Sequence, residues 1–368
     1  MKENLILLPD SPYSVWIKER SEKVAPGISE YVYFSTEVKY DSTPNVLKQD
    51  YLLGLTKSEA QSFKRVIIHY HNELVAFFLE KNKISPKNVF WVLWSGDLYN
   101  SPFYSEPLYQ EETLKLISIK KQTFIYYFKE FLKKVIKKRG FFVYKKSFRR
   151  IKYIASFFDG DVLAARKTFN FNYNHIPFAF LAINQLVDKD ILESNHFSLG
   201  NKLMVGHAGS MENNHLDTFK QLKKLNVSNV IFSPLSYGSP DYIKIILESG
   251  YQYFGDQFEP LTEFIPKHDY YNKLQEVGFA IFNTEIQQAF GNIMALVYLG
   301  VKVFLNGNNS IFKQLKSWGV TVFDVSELSK QSLEAHLLEF EKEANRSIIF
   351  EKLNEDAVNT YYKGLLTY

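Results

Sequence analysis

Residues 202–238 read KLMVGHAGSMENNHLDTFKQLKKLNVSNVIFSPLSYG, and this stretch decides the fold class. The apolar run KLMV predicts a strand, and the loop GHAGS follows it directly. Apolar residues spaced by three then predict an amphipathic helix, and the run NVIF predicts a second strand. A strand, a helix and another strand in this order are typical of a parallel sheet that carries helices on its faces.

The same alternation continues to residue 305. We predict a helix from 241 that ends at Gly250, because glycine commonly terminates helices, and a strand at 251–254. Further predictions are a helix at 268–277, a strand at 279–282, a helix at 291–300 and a strand at 301–305. This pattern predicts a doubly wound sheet, which binds ligands at the carboxyl ends of its strands.

The N-terminal half has apolar runs of strand length at 4–8, 31–34, 66–70, 89–94 and 151–158. A polar stretch at 188–201 is interpreted as a linker. We therefore predict an α/β protein with an N-terminal acceptor-binding domain at 1–190 and a nucleotide-sugar-binding domain at 200–330. Charged helices at 331–368 are expected to close the second domain and to reach back to the first.

The composition excludes several classes of site. The 368 residues include no cysteine, which rules out disulfides, cysteine-ligated zinc and thiol catalysis. The eight histidines lack zinc spacing, and Asp159-Gly160-Asp161 is interpreted as a helix start, so we predict no bound metal and no cofactor. We find neither a signal peptide nor an apolar run long enough to span a bilayer, and we predict a cytoplasmic protein.

Two loops of the C-terminal half are candidate ligand sites. The loop 206–210 contains two glycines, whose backbone N–H groups could meet a phosphate; a plain strand-to-helix turn is the alternative. The segment 283–292 carries amide side chains and a glycine at the start of an apolar helix. Helix N-termini attract a diphosphate, and amides can bind sugar hydroxyls without adding charge. A capped helix with solvated glutamines is the alternative there.

The segments 204–210, 213–215, 234–238 and 283–292 carry a family resemblance in their order and spacing. They are similar to the TDP-N-acetylfucosamine:lipid II N-acetylfucosaminyltransferases, also called 4-alpha-L-fucosyltransferases or glycosyltransferase family 56. The resemblance covers about residues 200–306, and the N-terminal half resembles the family mainly at 93–99. His207-Ala208 departs from it, because we expect the family to have Asn-Ser there.

The resemblance implies the GT-B architecture, in which two Rossmann-like domains face a cleft. It also implies transfer of an N-acetylfucosamine-type sugar from a TDP-activated donor to a lipid-linked saccharide acceptor, in envelope polysaccharide synthesis. The predicted donor-binding residues are Gly206, His207, Gly209, Ser210, Tyr237, Asn283, Gln287, Gln288, Gly291 and Asn292. The alternatives are another nucleotide-sugar enzyme, such as an epimerase, and a non-catalytic nucleotide-binding or RNA-binding module.

Candidate catalytic residues follow two strands of the N-terminal half. Asp97 comes just after the apolar run 89–94, beside Gly96, where a carboxylate would face the cleft. An inverting transferase needs a base that takes the proton of the acceptor hydroxyl, and Asp97 is the candidate. His69 and His71 are alternatives, since histidine titrates near neutral pH. A structural aspartate that caps a loop is the competing interpretation.

A basic, aromatic segment occupies residues 124–153. Eleven Lys or Arg residues lie between 129 and 152, against Glu130 alone. A helix there would have one apolar and one cationic side, which is typical of an interfacial membrane segment. A single-stranded nucleic acid and a solvated face are the alternatives. Lacking other nucleic-acid motifs, the sequence predicts no nucleic-acid partner and peripheral binding to the inner face of the cytoplasmic membrane through Lys133, Lys134, Lys137, Lys138 and Arg139.

Overall fold

A computed structural model describes residues 2–121, 138–187, 192 and 199–368. These residues form two compact units. The first contains 2–105, 138–180 and 356–368, and the second contains 106–121 and the described part of 181–355. Each unit is built on a six-stranded parallel sheet with helices, which confirms the predicted α/β class.

The sheet of the first unit has six strands, which are β1 Asn4–Leu8, β2 Ser29–Tyr33, β3 Arg65–His69, β4 Val89–Val92, β5 Tyr153–Ser156 and β6 Asn174–Pro177. Their order in the sheet is β2-β1-β3-β4-β5-β6, and all of them are parallel. All residues of β1, β3 and β4 are buried, as expected for strands covered on both faces. The strand order reverses between β1 and β3, where doubly wound sheets bind ligands.

Local sequence signals explain where the helices of the first unit begin. Asn72 caps one of them, since its Oδ1 accepts the N–H of Val75 at 2.9 Å. Thr56 and Glu59 form a capping box at another. The helices are Pro12–Val24, Gln49–Gly54, Lys57–Ser62, Glu73–Asn82, Gly96–Tyr99, Lys138–Ser147, Asp159–Phe169 and Glu355–Thr367.

The last of these helices packs on the first unit although it ends the chain. The Nδ2 of Asn4 donates to the carbonyl of Leu366 at 3.1 Å, and the hydroxyl of Tyr362 donates to the carbonyl of Phe180 at 3.0 Å. The prediction that the C-terminal helices reach back to the N-terminal part is thus confirmed for Glu355–Thr367. The helix before it, Glu339–Leu353, lies in the second unit.

The sheet of the second unit has six strands, which are β7 Lys202–Val205, β8 Ile231–Pro234, β9 Phe258–Leu261, β10 Val277–Phe282, β11 Lys302–Leu305 and β12 Phe323–Asp324. Their order in the sheet is β12-β11-β10-β7-β8-β9, and all of them are again parallel. The strand order reverses between β7 and β10, as in dinucleotide-binding sheets. The helices are Glu111–Lys121, Ile183–Leu186, His215–Leu225, Pro240–Phe254, Lys267–Gln275, Phe290–Leu299, Ser310–Ser317 and Glu339–Leu353.

One predicted strand is wrong. Residues 251–254 continue the helix Pro240–Phe254, and the strand comes later, at Phe258–Leu261. Gly250 does not end the helix, because it is the point at which the helix contacts the sheet. A Cβ atom added there would lie 2.4 Å from the ring of Phe258. The glycine therefore permits close packing, and the amphipathic pattern continues through it.

The unit boundaries differ from the predicted domain limits. Residues 106–121, from the middle of the N-terminal half, lie in the second unit. Asp217 holds the start of the helix Glu111–Lys121 there. Its Oδ1 accepts the N–H of Glu112 at 2.7 Å, and its Oδ2 accepts the N–H of Thr113 at 3.1 Å. Because the partners are about a hundred positions apart, no local pattern predicts this excursion of the chain.

Part of the predicted membrane segment can be located. Lys133, Lys134 and Lys137 lie outside the described residues, whereas Lys138 and Arg139 lie in the helix Lys138–Ser147. In the described ranges, no helix is both long enough and apolar enough to cross a bilayer.

Candidate functional site

The loops after β7 and β10 flank the reversal of strand order in the second unit. These two strands are neighbours, with Val205 opposite Ile281. Ligands of doubly wound sheets bind in the crevice at such a reversal, at the carboxyl ends of the strands. The fold therefore brings two separately predicted groups of donor-binding residues to one edge of the sheet, namely Gly206, His207, Gly209 and Ser210 from the first loop and Asn283, Gln287, Gln288, Gly291 and Asn292 from the second.

The first residue of the loop after β7 must be glycine. Gly206 has a φ of +70°, and an added Cβ would lie 2.4 Å from Nε2 of the buried His215. Its N–H donates to the carbonyl of Ile281 at 3.0 Å, and the N–H of His207 donates to Oδ1 of Asn213 at 3.1 Å. These bonds fix the loop against β10 and against its own following turn.

Two further glycines join the loops after β7 and β8. The N–H of Gly209 donates to the carbonyl of Tyr237 at 2.7 Å, and the N–H of Ser239 donates to the carbonyl of Gly209 at 2.8 Å. Gly238 has a φ of +127°, and an added Cβ would lie 2.3 Å from the carbonyl oxygen of Gly209. The backbones of the two loops are thus in direct contact. The side chain of Tyr237, in the loop after β8, has 57% of its surface exposed.

The loop 206–210 offers fewer free backbone donors than the sequence suggested, and neither of its two glycines has one. The N–H groups of Gly206, His207 and Gly209 are bonded as described above, and the N–H of Ser210 donates to the carbonyl of Ala208 at 2.8 Å. The prediction that the N–H groups of the two glycines are free is therefore wrong, because neighbouring segments of the second unit accept them. A contact between this loop and a nucleotide sugar stays a prediction, and side chains would have to make it.

Asn283 is the centre of a buried amide network. Its Nδ2 donates to Oε1 of Gln110 at 2.8 Å, and its Oδ1 accepts from Nε2 of Gln110 at 2.7 Å. Thr218 accepts a further bond from Nδ2 at 3.2 Å, and Asn306 donates another to Oδ1 at 3.2 Å. The side chain therefore uses its full bonding capacity within the protein, which makes Asn283 a structural residue of the site.

Gln110 is the site residue that the sequence analysis missed. It lies 173 positions before Asn283, and its backbone N–H donates to Oδ1 of Asn214 at 3.0 Å. Asn214 in turn donates to the backbone carbonyl of Asn283 at 2.8 Å. Residues 106–121 thereby support the loop after β10. Only the spatial arrangement reveals this, since no motif surrounds Gln110 in the sequence.

A polar cleft of about 320 Å³ opens beside this network. Glu285 lies in it, with Oε1 accepting from Asn306 at 3.0 Å and Oε2 accepting from Asn308 at 2.9 Å. The lining consists of Gln110, Asn283, Glu285, Asn306, Gly307, Asn308, Asp324, Val325 and Ser326. Amides and carboxylates suit hydroxyl groups, whereas the two acidic residues repel a phosphate.

In contrast to the acidic cleft, and within the part of the chain that the structure describes, the start of the helix Phe290–Leu299 has unpaired backbone N–H groups and no acidic side chain. Among the described residues, the N–H groups of Gly291 and Asn292 have no acceptor, and the helix has no acidic residue in its first turn. In the same part of the structure, the buried Oε1 of Gln288 also lacks a partner. Asn292 accepts the hydroxyl of Tyr270 at 3.2 Å through its side chain. Unpaired N–H groups and the helix dipole favour an anion at this position.

The histidines at this edge are neutral. Burial lowers the pKa of His207 to about 4 and that of His215 to about 3. Within the described ranges, Nδ1 of His207 and Nε2 of His215 are buried without a hydrogen-bond partner. Neutral imidazoles can donate or accept hydrogen bonds, but they add no positive charge for a phosphate. The helix start is therefore the better candidate for holding a diphosphate.

Asp97, the predicted catalytic base, is buried in the first unit with 2% of its surface exposed. Its Oδ2 accepts from Nε1 of Trp91 at 2.6 Å and from the N–H of His71 at 3.0 Å, and its Oδ1 accepts from the N–H of Trp94 at 3.0 Å. Burial raises the pKa of Asp97 to about 6. This placement does not support the predicted removal of a proton from an acceptor, because both oxygens are engaged and shielded.

The alternative bases are also buried. Burial lowers the pKa of both His69 and His71 to about 3, so that both are neutral. Nδ1 of His69 accepts from the indole of Trp94 at 3.4 Å. Nε2 of His71 lies 3.0 Å from the hydroxyl of Ser147, and its ring stacks on Phe148. Their predicted catalytic role finds no support in this geometry. In the described ranges, no group of three His, Cys, Asp or Glu could hold a metal ion.

Sequence comparison identifies a family over the second half of the chain. Residues 174–355 match the family described as 4-alpha-L-fucosyltransferase glycosyl transferase group 56. The matched segment contains every predicted donor-binding residue. The resemblance to this family is thereby confirmed.

Solved structures share the fold over nearly the whole chain. The Anabaena protein HepE, solved in complex with UDP and glucose, has a TM-score of 0.61 and 11% identity, with 98% of each chain covered. Sucrose-phosphate synthase from Thermosynechococcus elongatus also has a TM-score of 0.61, at 9% identity, with 98% of this chain and 97% of that chain covered. The fold is therefore that of GT-B glycosyltransferases, as predicted.

A structure described as a putative UDP-N-acetylglucosamine 2-epimerase from Listeria monocytogenes is similar as well. Its TM-score is 0.51 at 12% identity, with 99% of this chain and 94% of that chain covered. Since all of these identities are low, the likenesses show the fold alone. They do not separate transfer of a sugar from its epimerisation; the family match does so, in favour of transfer.

Proposed function

We propose, from the match of residues 174–355 to glycosyltransferase group 56, which sugar this glycosyltransferase transfers and to what. The donor is a TDP-activated deoxyamino sugar of the N-acetylfucosamine type. The acceptor is a lipid-linked saccharide of envelope polysaccharide synthesis. The observation that carries the donor site is the helix start at Gly291 and Asn292, beside the strand reversal of the second sheet.

The two kinds of surface at this edge suit the two parts of a nucleotide sugar. The diphosphate lies at the N-terminus of the helix Phe290–Leu299, where backbone N–H groups and the helix dipole stabilise negative charge. Hydroxyl groups of the donor lie towards the cleft that contains Glu285 and Asn308. The exposed ring of Tyr237 provides an aromatic face nearby, at the end of β8.

A ligand panel tests the donor assignment. The protein is heated with TDP, UDP, GDP, TDP-glucose or TDP-N-acetylfucosamine, and the unfolding temperature is recorded. A ligand at one hundred times its Kd is expected to stabilise the fold by about 2.7 kcal/mol. We expect the TDP compounds to stabilise most. Stabilisation by UDP or GDP instead would refute the TDP assignment, and a response to no nucleotide would refute the donor site.

Product analysis separates transfer from epimerisation. A new glycoside must form when a lipid-linked saccharide is added, and the nucleoside diphosphate must be released. Epimerisation would instead leave the nucleotide sugar intact with altered stereochemistry, whether or not an acceptor is present. Release of the nucleotide without any glycoside product would indicate hydrolysis.

We further propose that the basic segment binds anionic lipid. In its described part, Phe141 and Phe142 are 39% and 68% exposed, and Lys145 is also exposed on the helix Lys138–Ser147. Exposed aromatic rings beside cationic side chains are typical of interfacial binding. A lipid-linked acceptor lies in the membrane, so an enzyme that acts on it must approach that surface.

Neutralising Lys133, Lys134, Lys137, Lys138 and Arg139 to glutamine should release the protein from anionic vesicles. Each basic residue near such a surface contributes about 1 kcal/mol, and salt near 0.1 M screens the attraction over about 10 Å. Vesicle sedimentation measures the effect, and turnover on a water-soluble acceptor should stay the same. The matched control removes five exposed lysines elsewhere, at Lys57, Lys87, Lys224, Lys244 and Lys330. Equal sedimentation of the two variants would contradict the proposal.

A further inference from the structure

Two strained turns lie side by side at the carboxyl ends of β3 and β4. Tyr70, directly after β3, has a φ of +76°, and Ser95, shortly after β4, has a φ of +68° with a ψ of −62°. The N–H of Gly96 donates to the carbonyl of Trp94 at 2.8 Å, which closes a three-residue γ-turn around Ser95. Non-glycine residues rarely adopt such conformations, and they keep them only where the surrounding structure enforces them.

One buried carboxylate connects the two turns. Asp97 accepts the N–H of His71, which follows Tyr70, and the N–H of Trp94, which precedes Ser95. It also accepts the indole N–H of Trp91 on β4. An ionised carboxylate forms stronger hydrogen bonds than a neutral group, and here it does so where water is excluded. Asp97 is therefore the group that can enforce both strained conformations.

The turn around Ser95 determines where the ring of Trp94 lies. The indole Nε1 of Trp94 donates to Nδ1 of His69. The Trp94 ring makes edge contacts with the rings of Phe180 and Tyr13, at centroid distances of 5.2 and 6.0 Å. Tyr13 is 46% exposed, and the rings of Trp94 and Phe180 are partly exposed. These rings follow β1, β4 and β6, close to the reversal of strand order between β1 and β3.

This aromatic surface, formed by Tyr13, Trp94 and Phe180, has the chemistry of a saccharide site. The apolar C–H face of a pyranose ring packs on aromatic faces, and ligand sites in doubly wound sheets lie at this edge. In the described ranges, the rings that contact Trp94 are those of Tyr13, His69 and Phe180, and none of them carries a charge. An uncharged sugar ring therefore fits the surface better than a phosphate does.

We propose that Asp97 is a positioning residue: it holds the turns at Tyr70 and Ser95, and these fix Trp94 in an aromatic surface that binds the acceptor saccharide. The identity of the ligand rests on the proposed function, whereas the role of Asp97 does not. No proton is transferred to Asp97 in this assignment. The residue acts through Trp94, which touches the sugar.

Rescue by glycine distinguishes positioning from proton transfer. Asp97→Asn keeps the shape but provides one acceptor oxygen instead of two, so that its NH₂ group opposes an N–H donor. We expect the KM for a detergent-solubilised lipid-linked saccharide to rise at least tenfold, with unchanged affinity for TDP. Adding Ser95→Gly should restore most of the loss, because glycine adopts a positive φ without enforcement. Tyr13→Ala should raise the same KM without changing the turns.

Hydrogen exchange supplies a measurement that is independent of turnover. In Asp97→Asn, the amides of His71 and Trp94 should exchange at least tenfold faster, and the Ser95→Gly Asp97→Asn variant should recover protection at Trp94. The positioning role would be overturned by unchanged exchange, or by a loss of kcat at saturating acceptor that the glycine does not restore. If wild type transfers no sugar, the proposed function fails, while the exchange result still decides the role of Asp97. Unchanged KM in Tyr13→Ala would remove the saccharide assignment alone.

Discussion

Asn283→Ala is expected to lower the free energy of unfolding of the second unit by about 3 kcal/mol. This loss of stability should be larger than any loss of binding energy from direct ligand contacts. Asn283 is 2% exposed and bonds to Gln110, Thr218 and Asn306. Truncation leaves these partners without their bonds in a buried place, at about 1–3 kcal/mol for each unsatisfied group. Urea denaturation followed by circular dichroism measures the change as a lower transition midpoint.

Two control variants make this prediction specific. Asn283→Asp keeps the acceptor oxygen but cannot donate to Gln110 or Thr218, so it should fall between wild type and alanine. Asn308→Ala removes an exposed amide that donates to Glu285, and it should change stability by less than about 0.5 kcal/mol. If Asn283→Ala kept full stability and lost donor affinity, the side chain would contact the ligand, as the sequence analysis predicted.

The elements of the second unit could be predicted because their signals are local. The apolar run before Gly206 and the run before Asn283 both correspond to strands, β7 and β10. The error at 251–254 has a physical cause. In the sequence, Gly250 is compatible either with the end of a helix or with a close contact between the helix and the sheet. Only the ring of Phe258, which packs against Gly250 in the structure, shows that the second interpretation is correct.

The site could be predicted in its location but not in its bonding. Residue type and spacing predicted that Gly206 and Gly291 lie at the same edge of the sheet. They did not predict that the N–H of Gly206 is bonded to β10 whereas that of Gly291 is not. Whether a backbone donor is free depends on neighbouring strands and loops, which the sequence does not contain. Gln110 was missed for the same reason, since its partners lie more than a hundred positions away.

Burial explains why the geometry does not support the N-terminal candidates as catalytic bases. A polar residue that follows a strand can point to solvent or into the core. The sequence around Asp97 and His71 does not distinguish these two orientations. In the structure both side chains turn inwards, and burial shifts the pKa of Asp97 upwards and that of His71 downwards. Such groups determine shape more readily than they exchange protons with a substrate.

Gly291→Val is expected to weaken binding of the nucleotide sugar about 100-fold while the protein stays folded. The proposed diphosphate accepts the N–H groups of Gly291 and Asn292, and a branched side chain at 291 would keep it away from them. Each hydrogen bond to a charged group contributes about 1.5–3 kcal/mol, so the loss of one or two amounts to about 2.7 kcal/mol, which is a 100-fold change in Kd.

The local structure can accept the substitution. The φ of Gly291 is not in the left-handed region, and an added Cβ meets only Cδ2 of Leu186, at 3.4 Å. Gly291→Ala is the matched control, and its smaller side chain should weaken binding less than valine does. Isothermal titration with TDP measures both Kd values, and circular dichroism confirms folding. Equal affinity of wild type and a folded Gly291→Val variant would show that the diphosphate does not approach this helix, and the donor would then have to be held by the side chains around Glu285 instead.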